Sequence, residues 1–317
     1  MATKARSPIL PSNPKDPTGI DKLERGAILD FSRRLRKVRR AYIAALNRIP
    51  AEPIATNRKE TENKRYAYRL DQYLLQSIMA GLDADLAAIL LEGGEDHLWF
   101  FDAYVSVAAV RGTAQAFANL GQQSEAYRAG RGSVNQILAS EPYRRRMAII
   151  QARVFEDMEG FTATIKSAMS RVLTEGIGRG LNPLTIARNL TDQAGIEEGR
   201  ARRIARSEVP MALRRARWDE AADAAEVYGL RTMELHLSAL GRTTRATHAA
   251  RHGKLFTRES VRDWYAVDGN SINCRCSQSE VMVDADGKPL VPSIIERANK
   301  TKEVMKERDY DWSKPKK

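Results

Sequence analysis

The sequence predicts a mainly helical protein with a small α+β module towards its C-terminus. Three observations carry that expectation. Apolar residues recur in steps of three and four over most of the chain, which is the helical period. Beyond about residue 230 the step falls to two, the period of a strand. The composition, 43% hydrophobic but only 7% aromatic, suits a helical protein rich in Ala and Leu better than a β-sandwich.

The elements follow in order. Residues 1–19 contain Pro8, Pro11, Pro14 and Pro17 and read as an extended arm. "GAILDFSRRLRKVRRAYIAALNRI" reads as a helix, because Ile28, Phe31, Leu35, Val38, Tyr42, Ala45 and Ile49 fall on one stripe, and Pro50 and Pro53 close it. A second helix is expected over residues 66–91, on Leu70, Tyr73, Leu74, Ile78, Leu82, Leu86 and Leu90. Gly93 and Gly94 break it, and a third, Ala-rich helix is expected over residues 98–120. "LGQQSEAYRAGRGSVNQ" reads as a polar connection and a hinge. A long helix then runs from Tyr143 towards Thr174.

Asn182 is placed as an N-cap with Pro183 in the first helical turn. The helix expected over "EEGRARRIARSEVPMALRRARWDEAADAAE" should be kinked or split at Pro210. In "RTMELHLSA", Met233, Leu235 and Leu237 alternate with Glu234 and His236, the pattern of a half-buried strand. "SEVMVDADGKPLV" reads as a hairpin turning at Asp286 and Gly287, and a charged helix follows from Pro292. The expected organisation is an arm (1–19), a helical region (20–130), a connecting helix (131–180), an α+β module (181–291) and a helical tail (292–317). A fragment lacking residues 1–130 is expected to fold, since the strand, hairpin and motif helices lie beyond them.

The formal charge is +12 over 317 residues. A balance this basic favours a polyanionic partner, nucleic acid before anionic lipid. Arg33, Arg34, Arg36, Lys37, Arg39 and Arg40 crowd the surface of the first helix beside its apolar stripe. Arginine suits bidentate phosphate contact, so these six are the candidates for non-specific contact with duplex DNA. No apolar run approaches the ~20 residues of a membrane helix, and no membrane partner is expected. The N-terminus lacks the apolar stretch of a signal peptide, so folding in the cytosol is expected.

Short motifs stand in order along the second half. "GLNPLTIARNL" opens the series, followed by Ile204, Ala205, Arg206, Ser207 and Glu208 in "RARRIARSEVPMAL". After the strand come Thr244, Arg245, His248 and Gly253 in "GRTTRATHAARHGKLF", and then Asn273, Cys274, Arg275 and Cys276 as "NCRC". The series resembles the minor head proteins of tailed bacteriophages, the Mu F-like head morphogenesis family, over roughly residues 175–285. The resemblance implies structural roles for Arg206, Glu208, Arg245, His248, Gly253, Asn273, Cys274, Arg275 and Cys276. It implies a minor capsid protein inside the head near the portal, assembled in the host cytoplasm, with no catalytic residues. The implied partners are the portal protein, a scaffold or major capsid protein, and the double-stranded DNA genome, with which some members are ejected.

Cys274 and Cys276 are the only cysteines, one residue apart, too close for an unstrained disulfide. Two readings remain. With His248 and His252, spaced i and i+4, they could form a Cys₂His₂ zinc clip. Alternatively they are packed thiols, with His248 satisfied by a backbone carbonyl. The second reading, with no cofactor, is preferred because one intervening residue is awkward for a tetrahedral ion. The competing functional class is an enzyme, a nuclease or toxin-related activity in the C-terminal module. Yet the chain has no Walker loop, no Gly-x-Ser-x-Gly and no His-Glu-x-x-His.

Overall fold

The apolar stripe of the first helix is buried along its length. The computed structural model describes residues 6–54, 65–308 and 310–313. Helix α1 spans Asp21–Asn47. Phe31, Leu35, Val38, Tyr42 and Ala45 on it are buried, as is Ile49 just beyond its end, while Ile28 is half-buried. Its start lies earlier than the apolar pattern alone suggests. The Asp16 carboxylate accepts from the backbone N–H groups of Gly19 (2.9 Å) and Asp21 (3.1 Å), which starts the helix in the arm.

The chain is mainly helical with small antiparallel sheets, the fold class expected. It divides into two units, each assembled from separate stretches of sequence, so they cut across the segments read from sequence order. One comprises Gly26–Ala103 and Met147–Ile204. In it Phe31 packs against Trp99, Phe100 and Phe161, with ring centroids 4.9, 5.0 and 5.9 Å away. The Tyr42 hydroxyl reaches Ser170 (3.0 Å) on helix α6, Glu141–Gly178. Strands β1 (Ala51–Pro53) and β2 (Tyr66–Tyr68) pair antiparallel, and helix α2 (Gln72–Leu90) follows.

Two expectations are corrected here. The second helix begins at Gln72 rather than Tyr66, because Tyr66 and Tyr68 suit a pleated edge and the Asp71 carboxylate caps Leu74 N–H at 2.7 Å. Secondly, α2 is long and apolar enough to cross a membrane by length and composition, contrary to the reading that no run comes near that length. Ile78, Leu82, Leu86 and Leu90 on it are buried, and Asp83 pairs with Lys166 at 2.6 Å.

The other unit comprises Met1–Arg25, Tyr104–Arg146 and Ala205–Lys317. Its centre is a three-stranded antiparallel sheet of order β4–β3–β5, with β3 at Thr232–Leu237, β4 at Leu255–Phe256 and β5 at Ser277–Met282. The register places Glu234 opposite Glu280 and His236 opposite Gln278. Strand β3 is not half-buried: Glu234 and His236 are as inaccessible as Leu235 and Leu237. As the middle strand it is covered on both faces. One face meets Ile294 and Ala298 of α10 (Ser293–Lys306), alongside Val281.

Around the sheet lie α3 (Ser106–Gln123), α8 (Ala246–Arg251), α9 (Arg258–Ala266) and the C-terminal half of α7 (Pro183–Tyr228). A π-helical turn, Phe101–Val105, precedes α3 in sequence. Gly112 lets α3 approach α7, since a Cβ there would sit 2.2 Å from the Leu213 carbonyl oxygen. Helix α7 continues through Pro210 without a break. Burial of Val209 and Leu213 on either side stabilises it where the proline removes one backbone hydrogen bond.

The expected hinge also proves ordered. It forms α4 (Glu125–Gly130) and α5 (Val134–Ala139), started by side-chain caps from Ser124 and Ser133. Tyr127 on α4 is fully buried and donates to Glu220 at 2.5 Å. It joins Leu120, Ala221, Ala224 and Leu230 in one cluster. Asn119 on α3 donates to the carbonyl and carboxylate of Glu280, both at 2.7 Å, and Ile9 of the arm donates back to the Asn119 side chain at 2.8 Å.

A fragment lacking residues 1–130 is therefore expected to fail as a cooperative fold, contrary to the sequence-order reading. It should bind a hydrophobic dye and unfold without a sharp urea transition, whereas the full chain unfolds sharply. A sharp transition in the fragment would show that α3, α4 and the arm are dispensable.

Candidate functional site

The site is built where α7, the loop before β5 and α8 meet in the sheet unit. Arg214 on α7 is fully buried and donates through Nη1 to the carbonyl oxygens of Cys274 (3.1 Å) and Cys276 (3.0 Å). Its guanidinium also stacks on Tyr265, 4.6 Å from the ring centroid. One turn further on, Arg217 forms a two-pronged pair with Glu280, at 2.9 and 2.7 Å. Arg214 thus holds the backbone of the "NCRC" stretch itself, and Arg217 holds a side chain of the strand that follows it.

Asn273 turns the chain with φ 53°, in the left-handed region that asparagine tolerates, and its N–H donates to the Ser207 hydroxyl at 3.2 Å. Cys274 and Cys276 lie just before β5 rather than on it. Both are buried, and their sulfurs each lie 3.4 Å from Nδ1 of His248 on α8. His248 thus meets two thiols rather than the backbone carbonyl expected of it. Its Nε2 has no hydrogen-bond partner among the described residues. Trp264 packs against this ring at 4.6 Å, and Tyr265 reaches the Cys274 sulfur at 3.6 Å.

The two thiols titrate unequally. Burial pushes Cys274 up, but hydrogen bonds from Cys276 and His248, with the Arg214 charge, outweigh it and hold Cys274 well below the usual thiol value. Cys276 is pushed well above that value by its hydrogen bond to Cys274 and by burial.

His252 does not join this group. Helix α8 ends at Arg251, so the i, i+4 spacing from His248 no longer means a shared face. The Ser238 N–H donates to His252 Nδ1 at 3.0 Å, and Nε2 meets the Ala298 carbonyl at 2.9 Å. Both ring nitrogens are engaged. Gly253 follows with φ 75°, where a Cβ would lie 2.2 Å from the Asn299 side chain. The expected Cys₂His₂ set is thereby reduced to three residues.

The motif arginines also find structural partners. Arg206 and Arg275 converge on Glu24, a buried carboxylate at the start of α1, at 3.4 and 3.3 Å. Arg275 also reaches Asp21 at 3.7 Å. Arg245 donates to the carbonyls of Gly269, Asn270 and Ile272 at 2.9, 2.9 and 3.2 Å. Glu208 is half-buried on α7, next to the Ser207 that holds Asn273.

The basic run on α1 splits in two. Arg33, Arg36, Lys37 and Arg40 are exposed, with Arg33 also paired to Asp30 at 2.7 Å. Arg39 is half-buried. Arg34 is turned inward, contacting the Ile89 carbonyl and Glu92 (2.6 Å) and stacking on Trp99 at 4.0 Å. Arg34 therefore departs from the expected phosphate-facing group, because the aromatic cluster at Phe31 and Trp99 offers it a packing partner.

Residues 167–279 match the family of Phage Mu protein F like proteins. The match runs from within α6 into β5 and includes every motif residue from Arg206 to Cys276. It points to phage head morphogenesis and a place in the virion. No curated protein and no solved structure matches the chain.

Sequence reasoning missed Arg214, Arg217, Glu24, Glu234 and Glu280. Arg217→Met is expected to cost about 3–5 kcal/mol in urea denaturation, since it leaves the Glu280 charge buried without its partner. Adding Glu280→Gln should restore part of that loss. An unchanged urea midpoint in the single variant would mean the pair contributes nothing.

Glu234 generates a pH prediction. Burial, and then the charge of Glu280 opposite, push its carboxyl up to about 8 from an ordinary 4.5, against the lowering effect of Arg258, Arg217 and Arg262. The folded chain therefore keeps a proton that the unfolded chain releases above 4.5. This contribution to stability is complete below pH 4.5 and is lost as pH rises through 8, at up to about 1.4 kcal/mol per pH unit. Glu234→Gln should remove that falling limb. Denaturation of both chains at pH 5 and pH 8 checks it, and parallel profiles would refute it.

Proposed function

We propose that this protein is a minor capsid protein of a tailed bacteriophage, acting in head morphogenesis inside the head near the portal. The match of residues 167–279 to the Mu F-like family carries this reading. In it, the Mu F-like module is a folded anchor. Its motif arginines hold backbone carbonyls and a buried carboxylate, and the Cys274–His248 pair has no third group on the far ring nitrogen among the described residues. The portal protein is the proposed docking partner, with a scaffold or major capsid protein as a second contact during assembly in the host cytoplasm.

The genome is the proposed polyanionic partner, met by Arg33, Arg36, Lys37 and Arg40 on the exposed side of α1. Contact of this kind neutralises phosphates without reading bases. It also suits a protein that leaves the head with the DNA.

In the phage that encodes it, deleting the gene is expected to lower the yield of DNA-filled heads, and purified virions should contain the chain. Normal heads without it would overturn the assembly role. On purified protein, changing Arg33, Arg36, Lys37 and Arg40 to Gln should weaken duplex binding and flatten the log–log salt dependence by up to about four counterions. Arg34→Gln should instead lower thermal stability and leave the salt slope unchanged. An unchanged slope in the fourfold variant would assign α1 to protein contacts.

A further inference from the structure

We propose that His248, Cys274 and Cys276 bind one zinc ion, with a fourth coordination position supplied from an adjoining cavity. The three donor atoms, His248 Nδ1 and the two sulfurs, all lie within 4.8 Å of one another and are buried. Nδ1 is 3.4 Å from each sulfur. A tetrahedral zinc with Zn–S of about 2.3 Å and Zn–N of about 2.0 Å needs a nitrogen–sulfur edge of about 3.5 Å. Both nitrogen–sulfur edges match that length, and the sulfur–sulfur edge is within 4.8 Å.

The chemistry of the donors supports the same ion. Two thiolates and an imidazole form the borderline-soft set that selects zinc over magnesium or calcium. A hydrogen on Nδ1 can be aimed well at only one sulfur, whereas an ion inside the triangle engages all three atoms. His248 Nε2, without a partner among the described residues, can carry the proton when Nδ1 binds metal. On binding, two Zn–S bonds form, and any S–H bond still present breaks with its proton leaving to solvent. The dithiolate then neutralises the ion, and Arg214 pins the carbonyls of both cysteines.

The fourth position faces a cavity of about 280 Å³. His248, Cys274 and Cys276 line it together with Lys15, Arg245, Arg308, Ser238, Thr244 and Tyr310. Its basic lining favours water, hydroxide or a small anion as the fourth ligand. Neither His252 nor a carboxylate of the described residues belongs to the group.

The test uses the full chain, purified, stripped with chelator, incubated with zinc and desalted. Elemental analysis should read one zinc per chain, falling to none in Cys274→Ser and in His248→Asn. His97→Asn, at an exposed histidine outside the cluster, should keep the metal. Should the cluster variants fail to fold, cobalt(II) on the unmodified chain decides. A thiolate-to-cobalt charge-transfer band with intense visible bands supports a tetrahedral site, and their absence overturns it. Zinc that desalting removes completely, or that His97→Asn loses as Cys274→Ser does, would also overturn the site.

Discussion

Two buried guanidinium groups, Arg214 and Arg217 on the C-terminal half of α7, fix the arrangement of the sheet unit. An arginine out of water is costly unless acceptors or an aromatic face meet it, and Arg214, whose Nε and Nη2 find no acceptor among the described residues, also stacks on Tyr265. Arg217 meets the Glu280 carboxylate on β5, and Arg214 meets the carbonyls of Cys274 and Cys276 just before that strand. Together they set where β5 begins and which way it runs against α7. The register of β5 on β3 places Glu234 opposite Glu280. Asn119 and Gln123 of α3 then donate to the Glu280 backbone carbonyl, at 2.7 and 2.9 Å. One charge pair thus ties a helix half, a strand and a helix distant in sequence, and its burial makes each dependent on the others.

Much of this was legible in the sequence because periodicity reports burial. The stripe from Phe31 to Ile49 and the alternation from Met233 to Leu237 marked the right elements. The proximity of "NCRC" to His248 was also legible through the order of motifs. What failed had specific causes. Arg214 and Arg217 occupy positions on the same buried stripe as Leu213, Ala221 and Ala224, yet their charge reads as surface. The usable signal was an arginine recurring at core spacing. Glu234 and Glu280 were hidden likewise, since alternation of polar and apolar residues cannot distinguish a solvated face from a second covered one. His252 was misplaced because its spacing from His248 presumes a helix that stops one residue earlier.

The hinge reading failed for a related reason. Gly130, Gly132 and the polar residues around them resemble a loop, but Tyr127 supplies a large apolar anchor amid them. Its hydroxyl needs a buried acceptor, and Glu220 provides one while also pairing with Arg131 at 2.6 Å. A short polar segment becomes structure when one aromatic side chain fixes it and capping serines absorb the free N–H groups. Ser124 and Ser133 do so here.

Most of the motif residues are accounted for by the contacts that hold the fold. Arg206, Arg275 and Arg245 are committed to Glu24 and to carbonyls of the loop before β5, which accounts for their charge without any ligand. Gly253 and Asn273 are accounted for by backbone conformation. His248, Cys274 and Cys276 differ, because both sulfurs lie 3.4 Å from one ring nitrogen. The loop geometry set by Arg214, Arg245 and Ser207 aims both sulfurs at one nitrogen. That convergence borders the cavity, which all three residues line.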